Sequence, residues 1–220
     1  MKVAIIGATG FVGEPILKEA ISRPGLQVTA IVRNLDKLPD NPQLTGVSCD
    51  IHDQDALAAA LAGHDAVIHA YHPGRAFTQD SAVYEMSVAG HEAVLAAVRR
   101  AGVQRLLCVG GAASLKTDDG KEFIESTRWN REFDPYKPAI LGTRALYYLL
   151  KDEQDLDWVF LAPSEWLRPG ERTGKFRYGK DDLLIDAEGV SAISLEDYAL
   201  AMIDELLKPQ HHRERFTVGY

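Results

Sequence analysis

Met-Lys-Val-Ala-Ile-Ile-Gly-Ala-Thr-Gly-Phe-Val-Gly, residues 1–13, is the stretch that decides the fold. Val3 to Ile6 is a short, unbroken apolar run of the kind that a strand buried on both faces requires. Gly7, Gly10 and Gly13 follow at the spacing of a dinucleotide-binding turn, and a helical pattern opens behind them. Without β-carbons, such a turn lets a pyrophosphate approach the backbone, where amide N–H groups and the positive end of the helix receive it. Gly13, one turn into the helix, permits close packing against the strand. The bland alternative is a tight strand–turn–helix connection with no ligand. A glycine triplet that both ends an apolar strand and opens a helix favours the ligand.

The chain has 220 residues, enough for one α/β domain with a substantial core. Its 24 basic and 32 acidic side chains leave a net charge of −8, which argues against nucleic acid or an anionic membrane surface as partner. No apolar run reaches the length of a bilayer span, and the opening residues read as a core strand rather than a signal peptide. Cys49 and Cys108 both fall in expected buried strands and read as small core hydrophobes, so a cytoplasmic location is expected. No metal-ligand spacing is present, and the adjacent His211 and His212 are expected to be solvated.

Strands and helices alternate, the pattern of a doubly wound parallel sheet, the α/β Rossmann arrangement. Strands are expected at 28–32, 47–49, 66–70, 105–109 and 158–161, with helices at 13–22, 56–61, 81–100 (Ser81 to Arg100) and 138–150. Val83, Val94, Leu95 and Val98 mark the apolar side of the long helix. Residues 118–136, charged and aromatic, are the expected long functional loop. After Pro163 the pattern breaks into short extended pieces, with strands expected at 183–186 and 216–218. Ser194 and Asp197 form a helix start, and that helix carries Tyr198, Met202, Ile203, Leu206 and Leu207 inward until Pro209 stops it. Residues 164–220 thus read as a small C-terminal substrate or lid region continuous with one domain, 1–220.

In NAD-binding folds an acidic residue about 20 positions past the glycines takes the ribose hydroxyls. Arg33 stands there instead, at the end of Ile31-Val32-Arg33-Asn34, with Lys37 close by. A carboxylate would repel a 2′-phosphate, whereas a guanidinium grips it with paired hydrogen bonds, so NADP(H) is expected over NAD(H). Asp50 and Ile51 are placed to meet the adenine, the first as a carboxylate for its amino group and the second as an apolar wall. Asp50 reads equally as a turn residue.

The glycine turn, Asp50-Ile51 and Val109-Gly110-Gly111-Ala112 together resemble the atypical short-chain dehydrogenase/reductases. The likeness is to the NmrA-like, flavin- or biliverdin-reductase-like branch of NAD(P)H-binding proteins. The C-terminal runs Pro-Gly-Glu-Arg-Thr-Gly-Lys-Phe, Asp-Ala-Glu-Gly, Ile-Ser-Leu-Glu-Asp-Tyr-Ala and Arg-Phe-Thr-Val are similar to that bacterial group. The resemblance implies that Gly7, Thr9, Gly10, Phe11, Val12 and Gly13 line the pyrophosphate turn. It places Arg33 on the 2′-phosphate and Asp50-Ile51 on the adenine. It implies that Ala70, Tyr71 and His72 flank the ribose and nicotinamide, that Val109, Gly110 and Gly111 lie beneath the nicotinamide, and that Pro163, Ser164 and Glu165 close over it.

The family's catalytic signature is where this chain departs. Typical members carry a serine after the fifth strand and a Tyr-x-x-x-Lys pair, in which the lysine lowers the tyrosine pKa for proton transfer. Tyr136 is followed four residues later by Ile140, and the serine position falls on Gly110 or Gly111, with Ser114 a few residues late. Tyr136 reads as a proton donor or, more simply, as a substrate contact; Ser114 as a hydrogen-bond donor or a turn serine. His72 offers a neutral-range proton or is a solvated turn histidine. Trp129 and Phe133 stack on a flat substrate or pack their loop down, and Glu171, Arg172 and Lys175 form a solvated rim. The leading expectation is an NADPH-dependent oxidoreductase acting on a small conjugated acceptor such as a flavin or quinone. The alternatives are a catalytically silent NADP(H) sensor with a protein partner and, third, a sugar epimerase.

Overall fold

A computed structural model describes residues 1–74, 80 and 82–220; Ser81, the expected start of the long helix, lies outside the described residues. In chain order the elements are β1 (Lys2–Ile6), α1 (Gly13–Ile21), β2 (Gln27–Val32), β3 (Leu44–Ser48), α2 (Gln54–Leu61), β4 (Ala66–His69), α3 (Val83–Arg100) and β5 (Arg105–Val109). They continue with α4 (Lys137–Lys151), β6 (Asp157–Ala162), β7 (Trp166–Arg168), β8 (Arg177–Gly179), β9 (Ala192–Ser194), α5 (Leu195–Leu207) and β10 (Glu214–Gly219). Eight strands form one sheet in the order β3-β2-β1-β4-β5-β6-β10-β8, parallel except for the last. β7 and β9 make a separate parallel pair.

The alternation along each strand explains the layers. Val3, Ile5, Ile68, Leu107, Val159 and Leu161 point to the side where α1 and α5 pack. Ala4, Ile6, Val67, Leu106, Cys108 and Phe160 point to the side of α2, α3 and α4. Both faces of the central strands are therefore sealed, as their unbroken apolar runs require. The C-terminal third is part of this same body: β10 pairs with β6, and α5 lies against α1. A buried Tyr198 on α5 donates to the Leu161 carbonyl (2.7 Å) and accepts from the Gly110 N–H (3.3 Å), so it fastens the ends of β5 and β6 together.

Several expectations need correction. Residues 183–186 form no strand; Leu183 N–H bonds the Lys116 carbonyl (2.8 Å), and the Asp186 carboxylate turns the chain by accepting from the Glu188 and Val190 amides. Cys49 sits just past β3 rather than in it, though it is buried. Leu207, at the last turn of α5, is 39% exposed instead of inward. His211 is half-buried, its Nδ1 2.8 Å from Glu205 and its ring stacked on Phe216. Arg172 is not a free rim residue; its guanidinium makes two bonds to buried Glu19 of α1.

α3 and α4 approach closely because Gly142 faces Ser87. A β-carbon at Gly142 would lie 2.5 Å from Ser87 Cβ, whose hydroxyl is already bonded to the Val83 carbonyl (2.6 Å). Gly142→Ala should therefore cost about 1–3 kcal/mol of stability by overpacking, measured by urea denaturation.

Candidate functional site

Six parallel strands, β3-β2-β1-β4-β5-β6, end at one edge, and every expected cofactor residue leaves from it. Gly7 follows β1, Arg33 follows β2, Asp50 lies two residues past β3, Ala70 follows β4, Gly110 follows β5 and Pro163 follows β6. β1 sits where the chain order reverses, with β2 on one side and β4 on the other. Open parallel sheets bind ligands in the crevice at that reversal.

The turn itself tests whether a dinucleotide fits. Gly7 adopts φ +80°, and a β-carbon there would lie 2.5 Å from the Ala70 carbonyl oxygen. A β-carbon on Gly13 would overlap the Gly7 carbonyl oxygen. Gly10 N–H bonds that same oxygen at 2.9 Å, closing the turn. Val12 occupies the N-cap of α1 and offers no side-chain cap, so the helix start presents backbone amides only. Glu14, acidic in the first turn, is drawn to Lys18 at 2.7 Å. This bare, cap-free helix start matches what a pyrophosphate needs. Thr9 and Val12 are half-buried beside it, and Phe11 is 43% exposed.

At the adenine end Arg33 and Asp50 are both exposed, and both act electrostatically on Tyr71. Burial raises the Tyr71 pKa; the Arg33 charge pulls it down and the Asp50 charge pushes it up. No ion pair engages the Arg33 guanidinium among the described residues, and only its carbonyl is used, by the Ser48 hydroxyl at 3.3 Å. Asp50 Oδ1 accepts from His52 N–H at 3.0 Å, the turn role that the sequence left open. Ile51 is buried with the core rather than standing as a free wall.

Toward the nicotinamide end, Ala70 bonds back to Ile6 (2.9 Å), and Tyr71 packs its ring over Gly90 of α3. His72 is exposed, with Nδ1 accepting from Gly74 N–H at 3.1 Å. Val109 and Gly111 are half-buried at the end of β5, and Gly110 is pinned by Tyr198 and by the Leu161 carbonyl (2.9 Å). Pro163 is buried, and the Ser164 hydroxyl is engaged by the Val218 carbonyl at 3.0 Å, which leaves only its backbone for a ligand.

The two catalytic candidates fare differently. Tyr136 stands at the N-cap of α4, 42% exposed. Ser114 is 2% exposed and receives Arg215 Nη1 on its hydroxyl oxygen (3.0 Å) and its carbonyl (2.7 Å). Its geometry is that of an interior post beneath the β5 loop. The loop 118–136 is ordered into short 3-10 turns at 123–125 and 131–136. Phe123, Trp129, Phe133 and Trp166 form a chain of tilted ring contacts 4.8–5.6 Å apart, so Trp129 and Phe133 tie the loop to β7.

Sequence reasoning passed over a buried pair beneath this rim. His69 Nε2 and His91 Nδ1 are 2.9 Å apart, and His69 Nδ1 has no partner among the described residues. Burial, then the neighbouring imidazole, holds His69 well below its ordinary pKa, and burial draws His91 down to about 4. A histidine inside the apolar run Ala-Val-Ile-His-Ala was the available signal.

Fold and site together define a Rossmann α/β protein shaped around a dinucleotide turn. Residues 7–209 match the family described as NAD(P)H-binding, and the chain belongs to it. Its relative YwnB of Bacillus subtilis (strain 168), described as uncharacterized, is 37% identical over 221 residues, which cover 99% of this chain and 98% of YwnB. A solved structure from Bacteroides thetaiotaomicron, described as a candidate epimerase, has a TM-score of 0.90 at 40% identity, covering 100% of this chain and 96% of its own. Another from Streptococcus pneumoniae TIGR4, a candidate NADH-flavin reductase, has a TM-score of 0.83 at 30% identity over 100% and 99% of the two chains. These agree with the resemblance to atypical short-chain dehydrogenase/reductases. No helix among the described residues is long and apolar enough to cross a membrane.

Two outcomes follow. Gly10 is exposed and not at positive φ, so Gly10→Asp should leave the unfolding midpoint nearly unchanged while cutting NADPH affinity at least tenfold in a fluorescence titration. The histidine pair should show in acid stability. His91 binds a proton at about pH 4 when folded but near its ordinary value when unfolded. The unfolded state therefore holds more protons between those limits, and stability falls as pH drops through that window, by about 3 kcal/mol in all. Urea titrations across pH should show that slope roughly halved in His91→Leu.

Proposed function

We propose that the protein is an NADPH-dependent reductase of a small conjugated acceptor, of the flavin or quinone kind, working in the cytoplasm. The observation that carries the cofactor choice is the exposed, unpaired Arg33 guanidinium at the end of β2, where an NAD-specific site would hold a carboxylate. Bound NADPH supplies a hydride. The chain's own part is to grip and orient: the Gly7–Gly13 turn for the pyrophosphate, Arg33 for the 2′-phosphate, and Gly110, fixed by Tyr198, as a flat floor for the ring. The resemblance adds Thr9, Phe11, Val12, Asp50, Ala70, Tyr71, His72, Val109, Gly111, Pro163 and the Ser164 backbone to that cradle.

The missing Tyr-x-x-x-Lys pair and the burial of Ser114, 2% exposed, disfavour ordinary carbonyl reduction. Hydride transfer to a conjugated acceptor depends on positioning more than on that pair. The relative described as a candidate NADH-flavin reductase supports the acceptor class. A silent NADP(H) sensor with a protein partner is the second reading, favoured by the same Ser114 geometry.

Wild-type protein should bind NADP+ at least tenfold tighter than NAD+. Loss of a charge-assisted bond of about 1.5–3 kcal/mol in Arg33→Asp should remove or reverse that preference, read by calorimetry. Absorbance loss from NADPH with a panel of flavins, quinones and aldehydes separates the two readings. Turnover abolished by Gly10→Asp identifies the enzyme, and tight binding without turnover identifies the sensor.

A further inference from the structure

Past β6, the turn Pro163-Ser164-Glu165 ends in a carboxylate that the fold leaves poorly served. The Glu165 side chain is only 8% exposed, yet its nearest cation, Arg128 Nε, stands 3.7 Å away, beyond hydrogen-bond reach. Arg128 Nε is itself buried without a hydrogen-bond partner, while Nη2 of the same side chain bonds the Gly189 carbonyl at 2.6 Å. The Glu165 backbone, by contrast, is fixed: its N–H donates to Ser191 Oγ at 3.1 Å. A buried carboxylate is normally bidentate with an arginine or capped by amides. This one has neither among the described residues.

Among the described residues, other polar groups on this edge are constrained. Ser114 is held by Arg215, Tyr71 is pressed over Gly90, and His72 Nδ1 is taken by Gly74. Tyr136 lies at the exposed start of α4, without the lysine that would acidify it. Glu165 adjoins Trp166, which meets Phe133 at 4.8 Å and carries the Arg168 guanidinium 3.8 Å over its ring, so the acid stands beside an aromatic pair with one ring already covered by a cation.

We propose that Glu165 is the proton donor to a planar acceptor held against Trp166 and Phe133. The inference rests on the reductase reading above. The acceptor needs two electrons and two protons; the hydride carries both electrons and one proton. The second proton leaves Glu165 as its O–H bond breaks and an O–H or N–H bond forms on the reduced acceptor. The carboxylate left behind faces Arg128 of the loop and Arg168 of β7, and solvent returns the proton. Burial raises the Glu165 pKa, against the pull of those two arginines.

Carbon-13 NMR of cofactor-free protein, with Glu165 assigned by the signal lost in Glu165→Gln, reads the carboxyl directly. Its midpoint should lie above the ordinary glutamate value, and Arg128→Met should raise it further. Glu165→Gln should keep NADPH affinity within about twofold and lower kcat about 10²-fold. It should also remove the alkaline fall in kcat that marks a donor losing its proton. A midpoint no higher than the ordinary glutamate value, or an unchanged kcat and pH profile with normal NADPH binding, overturns the assignment. NADPH binding without turnover of any acceptor overturns it too, while the nucleotide site stands. Failure to bind NADPH at all brings down the reductase reading itself.

Discussion

The close approach of three backbone segments at Gly7 is the constraint on which the rest depends. The Gly7 carbonyl oxygen lies where a β-carbon on Gly13 would sit, and the Ala70 carbonyl lies where one on Gly7 would sit. Strand β1, helix α1 and the exit from β4 are thereby held within backbone contact at the point where the strand order reverses. No side chain can enter that junction, which is walled by backbone atoms, the Gly7 and Ala70 carbonyls among them. The same bareness that permits the packing makes the place receptive to phosphate, and the structural and binding roles cannot be separated by substitution at Gly7 or Gly13. They separate at Gly10, whose β-carbon would meet only the Gly7 oxygen, at 3.1 Å.

The fold was legible because its signals were strong and local. Apolar runs and glycine stops located β1, β2, β4, β5 and β6 to within a residue or two. Expectation failed where pairing, rather than pattern, decides. Leu183 to Asp186 has the composition of a strand, but its backbone meets the Lys116 turn and the Arg177 guanidinium rather than a neighbouring strand, and then reverses at Asp186. Leu207 fits the apolar period of α5, yet at the helix's last residue it is 39% exposed. Charges were harder still. Arg172 and Glu19 are 153 positions apart, and nothing local announces their pairing.

At the site, the sequence gives positions along the rim but not what each side chain is doing there. Ser114 and Ser164 read as polar groups near the ends of strands, and Tyr198 as an inward residue of the last helix. In the fold, each is bonded inward, to Arg215, the Val218 carbonyl and the Leu161 carbonyl respectively. These bonds stiffen the loops that form the floor of the crevice. A buried hydroxyl already bonded is costly to redirect, since the group it leaves would go unsatisfied. Such residues position a ligand without touching it chemically. Arg33 and Glu165 are the exceptions, each a charge without a well-formed partner among the described residues.

That contrast bears on why the family's tyrosine–lysine pair can be absent. A tyrosine needs a nearby cation because its ordinary pKa lies far above neutrality; the cation brings it within reach. A carboxyl group has the opposite problem, holding its proton too weakly in water. Burial corrects it, and cations oppose the correction. At Glu165 burial raises the pKa against two offset arginines, the nearer of which, Arg128, stands 3.7 Å away. The lysine that a tyrosine donor requires would only acidify such a carboxyl. On the proposed reductase reading, the ill-paired buried glutamate takes the part that the missing pair would otherwise play.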